Sequence, residues 1–459
     1  MIVLQQSNEQ VINFLGGYQS RKKYRQYRLN KYLFIYEYNE ESLLIFNLIT
    51  GSCIYIYIDE FNNLFGNDEY DYIDFCIKNY FIVPEQYDED FYIKDIKSKV
   101  SYPIGLTYFD HANYYTILTT SKCNARCFYC YEKNVKHKHH MSIDTAKSVA
   151  DFIIDNCDDL ENIHRIKWFG GEPLYNQEVI DIISNKLLEH NLKFVSSMAT
   201  NGYLINEEII NKAINIWHIN NIQITLDALN EKYDKIKNYI YKDTNIFQRI
   251  INNIKLLLEY KINVSIRMHV DNSNLEDIKE LIDYLNEEFK DNQNRQHLYM
   301  YTNKYYCDLK NEKDIDQTIK NIFEINDILY NYGFYYYESC TNITLVSYCN
   351  ANSPFGFVIN EDGNLCMCEN NIDGEFIGNV EHPESIDFEK IKEWNTYYDN
   401  DDEICKDCVF KQTCIRLKKC PNVIHKCNEY WKKYFNTNLV HGMIKLLNDF
   451  IENEEANKL

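Results

Sequence analysis

Short apolar runs that alternate with amphipathic helical runs constrain the fold of this 459-residue chain more than any other feature. Between residues 105 and 335 the apolar residues of each helical run recur at three- and four-residue spacing. The predicted strands between them are Tyr115–Thr119, Ile166–Phe169, Phe194–Thr200, Ile222–Leu226, Val264–His269 and Leu298–Tyr301. About six βα units in succession predict an α/β fold with a parallel sheet, either open or curled into a partial TIM-type barrel. Sites in such folds lie at the carboxyl ends of the strands.

The segments on either side lack this alternation. Residues 28–95 read as three short β segments followed by short helices, which predicts a small α+β domain. Beyond residue 335 there are nine cysteines and little predicted regular structure, so bound metal would have to stabilise that segment. The end of the chain is predicted to form a helix with an acidic tail. The predicted divisions are therefore residues 1–100, 101–333, 334–435 and 436–459.

Composition excludes several classes of function. The net charge of −21 leaves no basic stripe for a nucleic-acid backbone, so no nucleic-acid partner is expected. The first residues do not resemble a secretory signal, and no apolar run is long enough for a transmembrane helix, so we expect a cytoplasmic protein with no membrane partner. Sixteen cysteines in a reducing compartment predict metal binding rather than disulfides.

Three cysteines follow the first predicted strand directly. Cys123, Cys127 and Cys130 have the spacing C-x3-C-x2-C. A structural zinc site uses four protein ligands, whereas a [4Fe–4S] cluster has four irons, each usually bound by one cysteine. Three cysteines would leave one iron open to a ligand such as S-adenosylmethionine (SAM), whose sulfonium has a reducible S–C bond. The alternatives are three buried thiols or a zinc ion with a distant fourth ligand.

The stretch "CNARCFYCYE", with the aromatic Tyr129 before its last cysteine, resembles the signature of radical SAM enzymes. The resemblance implies that SAM is the fourth ligand and chelates the unique iron through its amino and carboxylate groups. In that family one electron cleaves SAM to methionine and a 5′-deoxyadenosyl radical, which abstracts hydrogen from the substrate.

A second motif stands at the end of the second predicted strand. In "IKWFGGEPL", Gly170 and Gly171 leave backbone groups uncovered, so a ligand can approach closely. Together with Glu172 and Pro173 they resemble the family's GGEP motif, which holds the SAM amino group.

Further candidates for SAM binding end the next three strands. Thr200 and Asn201 are expected to bond ribose or methionyl groups. Thr225 and Asp227 resemble the family's ribose-contacting positions, although Asp227 could equally cap a helix. Arg267 is a candidate partner for the SAM carboxylate, with a structural ion pair as the alternative.

The cysteine spacing beyond residue 335 resembles the SPASM domain of radical SAM peptide and protein modifiers. Its members, with Gly363 between the first two, are Cys349, Cys368, Cys405, Cys408, Cys414, Cys420 and Cys427. Five residues separate Cys414 from Cys420, where the family has three. A zinc-ribbon-like knot is the alternative.

The SPASM resemblance implies two auxiliary [4Fe–4S] clusters, three in all. The first would be bound by Cys349, Cys368 and Cys420, and the second by Cys405, Cys408, Cys414 and Cys427. Cys340 or Cys366 would complete the first, and Cys340 is favoured. If neither binds, the open iron could take a substrate thiolate.

Glu369 follows Cys368, where sulfatase-maturing relatives carry an Asp that acts as a base. Glu369 is therefore a candidate catalytic base, with a surface carboxylate as the alternative. The basic run "KHKHH" (136–140) is interpreted as a solvated loop rather than a metal site.

The N-terminal segment resembles the PqqD-like, winged-helix precursor recognition element of enzymes that modify ribosomal peptides. Such a module binds a leader peptide by adding it as a strand to an exposed sheet edge. The alternative is a domain that only packs against the barrel.

These resemblances imply a radical SAM peptide maturase that installs a crosslink, most often a Cys thioether, in a precursor peptide. Its expected partners are that peptide, bound through its leader, and an electron donor such as a flavodoxin or ferredoxin. One alternative is an anaerobic sulfatase-maturating enzyme that forms formylglycine. Another, of a different class, is a non-catalytic, metal-stabilised peptide-binding protein.

Overall fold

The first part of the chain forms an antiparallel sheet. The computed structural model describes residues 1–15, 26–65, 72–93, 113–134, 138–157, 162–241, 245–304, 312–334, 351, 356–371, 374–394, 408–411 and 429–456. The strand order is β1 (Ile2–Gln5), β5 (Cys53–Tyr57), β4 (Ser42–Asn47) and β3 (Leu33–Asn39). A two-stranded ladder of β2 (Tyr27–Leu29) and β6 (Ile82–Pro84) lies beside it, with helices α1 (Glu9–Phe14), α2 (Ile58–Asn62) and α3 (Tyr72–Lys78).

The predicted three-stranded meander is present as β3, β4 and β5, but two details of the prediction are wrong. The short run Ile2–Gln5 adds a fourth strand, paired antiparallel with β5. The part of the chain predicted to form only short helices also contains a strand, because α3 ends at Lys78 and the chain continues into β6. Tyr80 has a φ of 58°, a left-handed conformation that a helix does not continue through.

Six parallel strands in consecutive order form the main sheet. They are β7 (Tyr114–Leu118), β8 (His164–Phe169), β9 (Phe194–Thr200), β10 (Ile219–Thr225), β11 (Asn263–Val270) and β12 (Leu298–Lys304). The helices between and after them are α4 (Ile143–Asp155), α5 (Gln177–Glu189), α6 (Glu207–Asn215), α7 (Asn230–Lys237), α8 (Ile246–Glu259), α9 (Leu275–Phe289) and α10 (Glu312–Asn331). The predicted α/β class with a mostly parallel sheet is confirmed.

Side-chain caps fix where several of these helices begin. The Ser142 hydroxyl accepts a hydrogen bond from the Thr145 N–H at 3.0 Å at the start of α4. The Asn206 amide oxygen accepts one from the Ile209 N–H at 2.9 Å at the start of α6. Such caps satisfy backbone donors that have no partner inside the helix.

The two faces of the main sheet differ in character. One face carries Ile117, Trp168 and Ile266 into a core shared with the helices. Because side chains alternate along a strand, the other face carries the residues between them. We call this second face the polar face; its side chains include Thr116, Lys167, Ser197, Gln223, Thr225, Ser265, Arg267 and Tyr301. It is the face available to a site.

The cysteine-rich segment extends the main sheet, which the sequence did not predict. Strand β13 (Gly356–Ile359) pairs parallel with β7 and is followed by antiparallel β14 (Asn364–Cys366) and β15 (Gly378–Asn379). Helix α11 (Phe388–Trp394) follows them. The expectation of little regular structure beyond residue 335 is therefore wrong for this part of the segment.

Helix α12 (Glu429–Ala456) packs against both α10 and the N-terminal sheet. It starts earlier than the helix predicted over residues 436–459. It contacts α10, and its buried Leu439, Met443 and Leu447 share an apolar cluster with Phe46 of the N-terminal sheet. Among the described residues, no helix combines the length and apolarity needed to cross a bilayer.

Candidate functional site

The three-cysteine loop lies at the carboxyl end of β7, where a site was expected. Cys123, Cys127 and Cys130 are all half-buried. Two backbone hydrogen bonds attach the loop to the segment after α7: the Arg126 N–H donates to the Lys237 carbonyl at 2.8 Å, and the Ile240 N–H donates to the Asn124 carbonyl at 2.9 Å. The loop is therefore held in place from the fourth βα unit as well as from its own strand.

Gly170 and Gly171 allow the end of β8 to approach the start of this loop. The Gly171 N–H donates to the Thr120 carbonyl at 2.8 Å, and the Glu172 N–H donates to the Lys122 carbonyl at 3.0 Å. A Cβ at Gly170 would overlap the Thr120 carbonyl oxygen, and one at Gly171 would overlap that of Lys122. Gly170 also has a φ of +123°. The two glycines thus have a structural requirement beside their predicted role in SAM binding.

Glu172 is fully buried and connects β8 to β9. Its carboxylate accepts hydrogen bonds from the Thr200 hydroxyl at 2.7 Å, the Asn201 N–H at 2.8 Å and the Leu174 N–H at 3.2 Å. Burial raises the pKa of Glu172 to about 7, although these three donors oppose the rise. The Asn201 side chain in turn donates to the Asn124 side chain at 2.6 Å and lies 3.9 Å from the Cys123 sulfur. The GGEP motif is therefore bonded to the predicted Thr200–Asn201 pair.

Asp227 lies at the centre of a buried polar network. Its carboxylate accepts from the Tyr129 hydroxyl at 2.6 Å and from the His269 N–H at 3.0 Å, and it lies 3.2 Å from the Lys237 ammonium. The Lys237 ammonium also donates to the Tyr129 hydroxyl at 2.6 Å. Asp227 does not cap the following helix, because α7 begins at Asn230 with Leu229 as its N-cap residue.

The charges in this network are fixed by their neighbours. Burial alone would raise the pKa of Asp227, but Lys237 and His269 hold it well below its usual range. Burial would lower the pKa of Lys237, but interaction with Tyr129 and Asp227 raises it well above its usual value. Burial raises the pKa of Tyr129 far above its ordinary value. At neutral pH the network is an Asp⁻–Lys⁺ pair that fixes the Tyr129 ring within the cysteine loop.

Sequence reasoning missed Lys237 and His269. His269 is 6% exposed and Lys237 is 3% exposed, an unusual burial for lysine unless it is paired. In the sequence Lys237 ends a polar helix, "NEKYDKIK", whose lysines read as solvent-exposed. His269 has a weak signal, because it stands two residues after Arg267 on the same face of a strand.

Arg267 lies on the polar face between Thr225 of β10 and Tyr301 of β12. Its Nε is buried and has no hydrogen-bond partner among the described residues. The side-chain nitrogen of Asn124 is also buried, and it has no hydrogen-bond partner in the described part of the chain. The alternative role for Arg267, a structural ion pair, is not seen among the described residues. The Arg267 guanidinium, near the end of β11, fits a ligand that has a carboxylate.

The three cysteines of the loop are candidate ligands of a cluster. Within the described ranges, no three His, Cys, Asp or Glu side chains converge on one point as ligands of an ion do. A [4Fe–4S] cluster spreads its cysteines over different irons. The Ala125 N–H donates to the Cys123 sulfur at 3.4 Å. Burial raises the pKa of Cys123 to about 12, so positively charged iron would be needed to stabilise its thiolate.

Glu369 also lies at the polar face. Its carboxylate is 3.4 Å from the Lys167 ammonium, and both side chains are about three-quarters buried. Lys167 pairs in register with Thr116, in the middle of the sheet. Glu369 is therefore a partly buried, paired carboxylate, which differs from the alternative of a free surface group.

Three of the other predicted ligands of the cysteine-rich segment are described. Cys366 is buried among Leu118 and Val358, with Phe169 beside them. Cys368 packs against the main core and accepts a hydrogen bond from the Asn370 N–H at 3.4 Å. Cys408 packs against the cluster shared by the N-terminal sheet and α12. The remaining predicted ligands lie outside the described residues; they are Cys340, Cys349, Cys405, Cys414, Cys420 and Cys427.

Comparison with known families and proteins places this site in context. Residues 117–285 match the model of the Radical SAM superfamily. An uncharacterized protein of Methanocaldococcus jannaschii, MJ0907, is 26% identical over 296 residues, which cover 63% of this chain and 96% of that protein. A probable GTP 3′,8-cyclase of the same organism is 28% identical over 171 residues, which cover 37% of this chain and 53% of the relative. The chain thus spans about half the length of that cyclase.

A similar fold occurs in the solved structure of anSMEcpe with bound AdoMet. The TM-score is 0.55 at 19% identity, and the match covers 73% of this chain and 99% of the other. The same protein has been solved with AdoMet and a Cp18Cys peptide. Residues 117–285 are therefore a radical SAM domain, and this superfamily implies one [4Fe–4S] cluster and SAM.

Proposed function

We propose that this radical SAM enzyme modifies a ribosomal precursor peptide and installs a crosslink in it. The favoured assignment for the new bond is a Cys thioether. One observation carries the proposal: the segment that holds Cys366, Cys368 and Glu369 continues the same sheet whose first strand ends in the three-cysteine loop. A substrate residue at the polar face would therefore have the SAM site and the cysteine-rich segment within one sheet. Sites for radical formation and for later oxidation are both needed to join two residues of a peptide.

The residues at the strand ends fit SAM and its cluster. Cys123, Cys127 and Cys130 would hold the cluster, and Arg267, whose Nε has no hydrogen-bond partner among the described residues, would hold the SAM carboxylate. Tyr129 and Asp227 restrain each other at 2.6 Å, so both are oriented before a ligand binds. When bound, SAM and the reduced cluster supply a carbon radical that abstracts hydrogen from the substrate.

Other predicted SAM contacts act in part through the protein. The Thr200 hydroxyl is bonded to Glu172, so it orients the GGEP motif. Asn201 bonds Asn124 in the cysteine loop, so it positions that loop. The backbone of Gly170 and Gly171 would approach the SAM amino group, and Thr225 lies on the same face for the ribose.

Glu369 is proposed as the base that removes a proton from the substrate. The Lys167 ammonium lies 3.4 Å from its carboxylate and restrains the side chain at the polar face. For a thioether, the group that loses the proton would be the substrate thiol. The 5′-deoxyadenosyl radical would remove one hydrogen atom, so one further electron per crosslink would leave through the proposed auxiliary clusters.

Two auxiliary clusters are proposed for the SPASM-like segment, on the ligand sets given by the cysteine spacing. The separation of Cys368 from Cys408 supports two clusters rather than one. Cys368 contacts the core of the main sheet, whereas Cys408 contacts the apolar cluster under the N-terminal sheet. Cys340 or Cys366 would complete the first set. The domain limits proposed above place both sets in residues 334–435.

The N-terminal sheet is proposed as the winged-helix-like module that binds the leader of the precursor peptide. Among the described residues no strand pairs with the outer edge of β3, whereas β1 covers the edge of β5. Along β3, Ile35 and Tyr38 are exposed. An added strand could gain main-chain hydrogen bonds from this edge and side-chain contacts from these residues.

The direct test uses anaerobically reconstituted protein with SAM and dithionite. We expect 5′-deoxyadenosine, and we expect a small Cys-containing peptide encoded beside this gene to lose two hydrogen atoms per crosslink by mass spectrometry. The modified Cys should no longer react with iodoacetamide. A peptide whose Cys has lost its sulfur would instead support formylglycine formation. If no 5′-deoxyadenosine forms, the proposed activity is wrong and the alternative of a non-catalytic peptide-binding protein is favoured.

Iron analysis tests the cluster assignment separately. Three clusters correspond to about twelve irons per chain. Replacement of Cys123, Cys127 and Cys130 by Ala should leave about eight irons, because the auxiliary sets are untouched. Replacement of Cys53, a buried thiol of the N-terminal core, is the control and should leave the iron content unchanged. Zinc in place of iron would contradict the proposal.

A further inference from the structure

Basic residues are concentrated around the cysteine loop of this acidic chain. Residues 121–140 contain five Lys or Arg and a single carboxylate, Glu132, although the whole chain has a net charge of −21. Four of the five cations are described: Lys122, Arg126, Lys133 and Lys138. Three of these are exposed, and Lys122 is half-exposed.

The described part of the chain offers these four cations no carboxylate partner. Elsewhere on the surface some lysines are paired, as Lys147 is with Asp144 at 3.2 Å and Lys290 with Glu287 at 2.6 Å. Within the part of the chain that the structure describes, none of the four cations around the loop forms an ion pair with a carboxylate. Their charge is therefore directed to solvent, which is where a partner would meet it.

Two exposed apolar side chains stand among these cations. Phe128, between Cys127 and Cys130, is 61% exposed. Ile240 is 46% exposed, and its N–H is bonded to the Asn124 carbonyl of the loop. An apolar centre with a charged rim is the usual composition of a protein–protein contact.

We propose that this surface, the cysteine-loop patch (Lys122, Arg126, Phe128, Lys133, Lys138 and Ile240), docks a small electron-transfer protein with a carboxylate-rich surface. The proposal rests on the proposed function, since a one-electron donor is needed only if the three cysteines hold a redox cluster. The reduced carrier would lose one electron at its flavin or iron–sulfur centre, and the cluster on these cysteines would gain it. No bond is made or broken in this step.

Location and charge favour this occupant over an acidic peptide. The patch is built on the cysteine loop itself, so a carrier bound there has the shortest path to the cluster. Opposite charges steer two proteins together and raise the association rate, and the effect falls with ionic strength. A precursor peptide must instead reach the polar face of the sheet and, for its leader, the N-terminal sheet.

The test measures binding of an oxidised, FMN-loaded bacterial flavodoxin to immobilised holoenzyme by biolayer interferometry. The variant Lys133→Glu/Lys138→Glu reverses two exposed charges of the patch. The control Lys147→Glu/Lys320→Glu makes the same charge change on the exposed faces of α4 and α10. We expect the patch variant to weaken binding about tenfold, mostly through slower association, and the control to change it less than about twofold. Added salt should weaken flavodoxin binding by the wild type. The difference in affinity between the wild type and the patch variant should therefore become smaller.

Activity with two reductants separates this inference from the proposed function. Dithionite needs no docking surface, so both variants should form 5′-deoxyadenosine like the wild type when dithionite is the donor. With reduced flavodoxin the patch variant should be slower. The inference is overturned if the patch variant binds flavodoxin as tightly as the wild type. It is also overturned if the control loses as much flavodoxin affinity as the patch variant. A patch variant that binds the precursor peptide more weakly, and flavodoxin normally, would overturn it as well. If the wild type fails with dithionite, the proposed function fails, while the binding result still decides the docking surface.

Discussion

The ammonium group of Lys237 lies 2.6 Å from the hydroxyl of Tyr129, although 108 residues separate them in the chain. Both groups contact the buried carboxylate of Asp227, at 3.2 and 2.6 Å. The backbone carbonyl of Lys237 also accepts the Arg126 N–H. The end of α7 therefore determines where the cysteine loop lies, through one side-chain network and one backbone hydrogen bond.

Replacement of Lys237 by Ala should destabilise the protein strongly. It leaves Asp227 buried without its main counter-charge, and removal of one partner of a buried ion pair costs about 3–5 kcal/mol. Urea unfolding followed by circular dichroism measures the change. Lys235→Ala is the matched control, because Lys235 is exposed on the same helix and should shift the free energy of unfolding by less than about 0.5 kcal/mol. Equal losses in the two variants would show that the Asp227 network contributes no more than a surface lysine.

The Gly171→Ala variant should fail to bind the first cluster. Its Cβ would overlap the Lys122 carbonyl oxygen and lie 2.8 Å from the carbonyl carbon, and backbone atoms cannot move aside as a flexible side chain can. The cysteine loop must then shift. We expect about four of the twelve proposed irons to be lost after reconstitution, as measured by iron and sulfide analysis.

A glycine that is needed only for its backbone conformation provides the control. Gly333 has a φ of +71°, but an added Cβ would meet only the Arg295 guanidinium at 3.5 Å. Gly333→Ala should cost about 1 kcal/mol of stability and leave the iron content at the wild-type level. Full iron content in Gly171→Ala would mean that the loop tolerates displacement.

The sequence predicted the elements whose signals are local. Strand β9 was predicted with its observed limits, Phe194–Thr200, because apolar periodicity and flanking polar residues define it. Ser142, a residue type that favours helix N-caps, likewise stands at the start of α4. Residues at strand ends, including Glu172 and Asp227, could be named because parallel strands direct their carboxyl ends to one edge.

Features that depend on distant parts of the chain could not be predicted. Gly356 pairs with Tyr114 across the sheet, and no local pattern near residue 356 indicates that partner. Lys237 is buried against Tyr129 of the loop in the first βα unit and Asp227 after β10, and neither contact is visible in its local sequence. The segment Ile2–Gln5 is too short for its periodicity to identify a strand. It is a strand because it pairs with β5.

Glu369→Gln should separate SAM cleavage from peptide modification. The amide can still accept a hydrogen bond from Lys167, so the position of the side chain is retained while its basicity is lost. We expect 5′-deoxyadenosine to form at a rate near that of the wild type and the modified peptide to form about a hundredfold more slowly. The ratio of the two products, measured by liquid chromatography and mass spectrometry, reports the effect.

Glu381→Gln is the control for this experiment, since Glu381 is exposed beyond β15. It should leave the ratio of peptide product to 5′-deoxyadenosine unchanged. An unchanged ratio in Glu369→Gln as well would assign Glu369 a structural role as the partner of Lys167.

Glu172 should make stability fall as the pH rises. Burial raises its pKa from about 4.5 to about 7 in the folded protein, so between these values the folded state retains a proton that the unfolded state has released. The unfolded state is then favoured as the pH rises through this window, by on the order of 3 kcal/mol in total. Above the folded pKa the difference is constant. Glu172→Gln has no titrating group, so its free energy of unfolding should lack this decline.

Urea unfolding of metal-free protein at intervals from pH 5 to 8 measures the effect, since cluster loss also depends on pH. Burial lowers the pKa of His164 and of His269, so these histidines favour the folded state as the pH rises. Their contribution to the free energy of unfolding therefore has the opposite slope to that of Glu172. The difference between wild type and Glu172→Gln removes the contribution of the histidines, because both proteins contain them. Glu178→Gln, at an exposed position on α5, should follow the wild-type profile. Parallel profiles for wild type and Glu172→Gln would indicate that the three donors around the carboxylate offset its burial, and that Glu172 is ionised throughout this range.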